Sequence, residues 1–121
     1  MAQQNINGRV LGFKAGVDLS AKINYLCKLD TVETQVVLAT ADAVCVGVIN
    51  NKSVLGQAVT VAIGETVKVI LGGTVAVGDY IVSDANGKAV VRVAEVNVFG
   101  IALQSGVAGD TVEVLVEKKK I

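Results

Sequence analysis

The chain contains no histidine, no proline and no tryptophan. Its only aromatic residues are Phe13, Tyr25, Tyr80 and Phe99. Without histidine there is no Ser–His or Cys–His activation of a nucleophile, and the commonest metal ligand is missing. Cys27 and Cys45 alone cannot complete an ordinary zinc site. Both stand among apolar neighbours and read as small buried hydrophobes. Asp79, Asp84 and Asp110 follow or open Gly- and Asn-containing turns, so they read as turn residues and not as an acid–base pair. The scarce aromatics leave no stacking platform for single-stranded nucleic acid. No glycine-rich segment ends in Lys-Ser or Lys-Thr, so a phosphate cradle is not supported. The expectation is a protein that is not an enzyme and has no cofactor and no metal site.

Charge of one sign is lacking too. Eleven Lys and Arg balance eleven Asp and Glu. That argues against nucleic acid as a partner. The one cluster, Lys118-Lys119-Lys120, reads as a solubilising tail that blunts a strand edge. Its alternative is a contact with a phosphate or an acidic neighbour. No apolar run approaches the roughly 20 residues of a membrane span, and no membrane partner is expected. Residues 1–5 lack the basic and apolar regions of a signal peptide. The expectation is therefore synthesis in a cytoplasm, with both cysteines reduced.

What is abundant is valine, with twenty-five copies, and glycine, with thirteen. Valine is stiff at its first side-chain torsion and suits a pleated surface. The composition predicts an all-β fold: a compact small β-barrel or sandwich of short antiparallel strands. At 121 residues this is one domain, able to bury roughly two-thirds of its unfolded surface. Residues 1–12 read as an extended N-terminal arm and 13–121 as the β domain. Asp18-Leu19-Ser20-Ala21-Lys22 reads as a single helical turn. One stretch occurs twice, at 46–63 and 99–116. Laid together without a gap, Gly47 meets Gly100, Val54 meets Val107, Gly56 meets Gly109, and Val59 and Val61 meet Val112 and Val114. Each copy is an apolar strand, a connection ending in Gly plus a polar residue, and an alternating strand. The chain therefore reads as two related halves around a connecting strand at 66–71. Gly56, Gly78, Asp79, Asn86, Gly87, Gly109 and Asp110 are the expected structural turn residues. Of these, Asn86-Gly87 is the strongest hairpin signal.

A β domain without reactive chemistry acts through surfaces, and an arm with free backbone groups can add a strand to a partner's sheet. Several motifs, in this order, resemble the small capsid decoration, or cement, proteins of tailed bacteriophages. They are Gly16-Val17-Asp18-Leu19-Ser20 followed by Tyr25, Val46 to Ile49, Gly56 to Val61, Gly72-Gly73, Val77-Gly78-Asp79, Ser83 to Ala89, Gly100 to Leu103, and Gly109-Asp110 before a final alternating strand. The resemblance implies a homotrimer on the outside of the expanded head that clamps neighbouring subunits of the major capsid protein. It also implies that the N-terminal segment touches the shell, which maps here to Ala2, Gln3, Gln4, Asn5, Ile6, Asn7 and Arg9. The alternative is a head-surface or fibre-type domain that recognises a host glycan or receptor, with Tyr25 and Tyr80 as its available aromatics.

Overall fold

The computed structural model describes residues 10–121. Alternation of apolar and polar residues builds its strands, as in β5 (Ala58–Ala62), where Val59 and Val61 point inward and Thr60 does not. The first half comprises β1 (Val10–Ala15), β2 (Leu26–Leu29), β3 (Gln35–Leu38), β4 (Cys45–Ile49) and β5. They close into a barrel in the order β1-β3-β2-β4-β5. All its pairs are antiparallel except β1 with β3, where Lys14 and Ala15 lie beside Gln35 and Val36.

The second half comprises β6 (Thr66–Ile70), β7 (Tyr80–Ser83), β8 (Ala89–Val91), β9 (Asn97–Ala102) and β10 (Thr111–Lys120), in the order β6-β10-β9-β7-β8. This is the first barrel's order again. A parallel bridge from Leu71 to Ala89 stands where β1 meets β3. Registers repeat as well. Val48 pairs with Ala62 and Ile49 with Val61; Ile101 pairs with Leu115 and Ala102 with Val114. The shift between these pairs is the one that lays Gly47 on Gly100. Matching hydrogen bonds hold the closures. The Ala15 and Leu71 amides donate to the Gln57 and Asp110 carbonyls, at 2.9 and 2.8 Å, and the Gly16 and Gly72 amides to Val36 and Ala89, both at 2.8 Å.

Three local expectations need correcting. The strand at 66–71 is no connector; β6 opens the second half as β1 opens the first. Val10, Leu11 and Gly12, expected in the arm, pair with Ala62, Val61 and Thr60 and so belong to the barrel. The stretch from Asp18 to Lys22 is a turn and not a helical one. The Lys22 amide donates to the Leu19 carbonyl, and the Asp18 carboxylate accepts from the Ser20 amide.

Val48 and Ile49 are neighbours on β4 and feed different cores, because alternate residues of a strand face opposite ways. Ile49 joins Ala15, Leu19, Cys27, Val36, Val59 and Val61 inside the first barrel. Val48, with Leu26, Ala39 and Cys45, packs into the larger cluster around Val69, Leu71, Ile81, Phe99 and Val114 of the second half. The halves are thus joined by a shared apolar seam.

Candidate functional site

The turn residues serve the backbone. Val54 to Gln57, Ala76 to Asp79 and Val107 to Asp110 form three copies of one turn. In each, the last amide donates to the first carbonyl, at 3.0, 3.1 and 3.0 Å. The last side chain, Gln57, Asp79 or Asp110, accepts from the first amide in return. Gly56, Gly78 and Gly109 occupy the third place with φ of 84°, 91° and 93°. Asp84 accepts from the amides of Asn86 and Lys88 at 2.8 and 2.9 Å across the β7–β8 hairpin. Gly87, also at positive φ, passes its carbonyl to the Leu26 amide of the first half at 2.7 Å. Ala2, Gln3, Gln4, Asn5, Ile6, Asn7 and Arg9 lie outside the described residues.

The distinctive surface is the rim of the seam between the halves. Residues 43–45 face the end of β10 and Asn97 and Val98 of β9 across a cleft of about 310 Å³. A second hollow of about 420 Å³ adjoins it, sharing Ala43 and Val44 and lined further by Lys28, Leu29 and Thr40. Val44 is 70% exposed at the meeting of the two. Asp42 fastens this corner. Its carboxylate accepts from the amides of Val96 and Asn97 at 3.0 and 2.9 Å, and its carbonyl accepts from the Asn97 side chain at 2.8 Å. Nothing local in the sequence marks Asp42, whose partners lie in the other half.

The lysine run is not a tail but the final part of strand β10, with Lys119 opposite Val98 and Lys120 opposite Asn97. Lys118 donates to the Val46 carbonyl of the first half at 2.6 Å. Desolvation against the seam holds the Lys118 ammonium below its ordinary pKa. Lys119 donates to the Tyr80 hydroxyl at 3.0 Å and lies over the Tyr80 ring, 4.3 Å from its centre. That hydroxyl contact raises the Lys119 pKa. Tyr25 likewise has Lys22 4.9 Å from its ring centre. Each tyrosine that could stack on a sugar therefore already carries an ammonium on its ring.

Cys27 and Cys45 are free and buried, and burial pushes both thiols up to about 12. A thiol held that high is a poor nucleophile. Among the described residues, no three of His, Cys, Asp and Glu gather in a way that would hold a metal ion.

No family model and no curated protein matches the chain. Its fold is similar to a solved structure, the N base of the head fibre protein gp8.5 of bacteriophage phi29. The two superpose with a TM-score of 0.70 at 19% identity, over 93% of this chain and 97% of that one. At that identity the likeness establishes a shared fold.

Proposed function

We propose that this chain is a structural protein of a bacteriophage head, which binds the outside of the expanded shell and stabilises contacts between major capsid subunits. The observation that carries this reading is the end-to-end likeness to the N base of a bacteriophage head fibre protein. On this reading the chain is made in the host cytoplasm, acts without catalysis and carries no cofactor. It assembles as a homotrimer, with Ala2, Gln3, Gln4, Asn5, Ile6, Asn7 and Arg9 as the residues that contact the shell. Affinity for the assembled shell alone stabilises that shell by mass action. A trimer that touches several subunits multiplies modest contacts into avidity.

The same likeness favours a second reading, in which the domain anchors a fibre and does not brace the shell. One experiment separates the two. Purified protein is mixed with expanded heads that lack it, the heads are pelleted, and their disruption temperature is measured. Saturable co-pelleting with a raised disruption temperature supports the bracing role. Saturable co-pelleting without that rise supports an anchor. No co-pelleting refutes both.

A further inference from the structure

We propose that the lysine-rimmed cleft at the seam is the docking surface for an acidic, partly apolar segment of the shell's outer face. The proposal rests on the head-protein reading above and assigns its contact surface.

Charge carries the argument. The chain as a whole is neutral, yet Lys28, Lys118, Lys119 and Lys120 stand around two adjoining hollows. Three of these ammoniums rest on neutral oxygens: Lys28 on the Thr40 hydroxyl at 3.2 Å, Lys118 on the Val46 carbonyl and Lys119 on the Tyr80 hydroxyl. An ammonium has three donors, and each of these contacts takes one. The carboxylate lining the corner, Asp42, is committed to two backbone amides. Exposed Glu117 offsets part of the charge at Lys119 and leaves the rim cationic. Between the lysines the lining is apolar, with Ala43, exposed Val44, Cys45 and Val98.

A segment that suits this surface presents carboxylates to the rim and an aliphatic side chain to the floor. Nucleic acid suits it less well. Among the described residues the lining offers no arginine, and the nearby Tyr80 ring lies under Lys119 and is not free to stack.

The divergence of the two halves points to the same place. Strand β5 ends at Ala62, and the chain turns at Gly64 and Glu65 into β6. Its counterpart β10 runs on through Lys118, Lys119 and Lys120 to the rim. The cationic wall is thus an addition to the repeated unit and not part of its fold.

The test uses the full chain and expanded heads lacking it. Lys118 braces the seam, so the variants leave it in place. Lys120→Glu and Val44→Asp change exposed side chains, and Lys52→Glu, on an exposed site elsewhere, is a control with the charge change of Lys120→Glu. The double variant Val44→Asp/Lys120→Glu should bind heads about tenfold more weakly than the wild type, with a flatter dependence on salt. Lys52→Glu should bind as the wild type does. Unchanged binding by the double variant overturns the assignment of the cleft while leaving the head reading standing. Failure of the wild type to bind refutes both. Binding of short single-stranded DNA that Lys120→Glu abolishes would overturn the proposal in favour of a nucleic-acid site.

Discussion

Three strand glycines should respond to the same substitution with opposite signs. Gly100 lies on β9 between Val116 of β10 and Ile81 of β7. A methyl group there would fall on the Leu115 carbonyl oxygen and lie 2.8 Å from a Val114 methyl. The obstacle is backbone in a paired strand, so no side-chain rotation relieves it. Gly47 holds the matching place on β4, where a methyl group would meet the Ala62 carbonyl oxygen and lie 2.7 Å from a Val61 methyl. Gly12 on β1 has nothing within 4 Å of that position among the described residues, and its φ is not in the left-handed region. Forcing paired strands apart costs about 3 kcal/mol, at the upper end of overpacking. Gly100→Ala and Gly47→Ala should therefore each lower the melting temperature by roughly 10 °C. Gly12→Ala should raise stability by about 0.5 kcal/mol, because alanine restricts the unfolded chain more than glycine does. Urea and thermal unfolding followed by circular dichroism would measure all three. A Gly100→Ala variant that melts within a degree of the wild type would refute the register of β9 and β10 given above.

Gly109→Val should cost about 1–2 kcal/mol from backbone conformation alone, since φ is 93° and the position is otherwise open; unaltered urea stability would show that the turn is misassigned. Asp42→Ala should cost about 1–3 kcal/mol by leaving the Val96 and Asn97 amides without their acceptor, and hydrogen exchange should quicken at those two residues while β7 and β8 stay protected. The thiols of Cys27 and Cys45 ionise at about 12 when folded, against an ordinary 9.0. The stability they contribute is complete below pH 9.0 and is lost as pH climbs toward 12, so a Cys27→Ala/Cys45→Ala variant should show a shallower alkaline decline. Iodoacetamide labelling of the native protein at about pH 8 should be negligible, and labelling at the rate of a free thiol would refute the burial argument. Deleting residues 1–7 should weaken co-pelleting with heads. Undiminished binding would remove the N-terminal segment from the proposed function.

The all-β fold was legible because its signals are local. Val59 and Val61, Val67 and Val69, and Val112 and Val114 alternate within single strands, and Asn86-Gly87 turns the chain wherever it is placed. Which strands close the barrel was not legible. Residues 10–15 and 66–70 share no side-chain pattern, and their equivalence emerges only from their pairing with β5 and β10. The parallel contact of β1 with β3 joins strands that no short turn connects. At the seam, Asp42 and Asn97 meet across half the chain, so neither residue's neighbours betray the contact. The lysine run misled for the opposite reason. Three successive charges at a chain end read as a tail, whereas the exposed lysines belong to a paired strand.

Two copies of one strand order, a closed barrel and a five-stranded sheet, also constrain where the function sits. What both halves retain — the Gly47 and Gly100 contacts, the turns at Gly56 and Gly109, the buried valines — is what the unit needs in order to close. Features present in both cannot by themselves make one end of the molecule differ from the other. The differences can. The extended β10, the Asp42 clamp and the exposed Val44 each belong to one half and act on the other. They meet at the seam, where β10 of the second half lays Lys118 on Val46 of the first. An isolated unit would lack one wall of this cleft, so the surface exists only because the halves are fused in this order. A partner that reads the cleft therefore reads the intact pair, and separating the halves should abolish that recognition even where each half keeps its strand pairing.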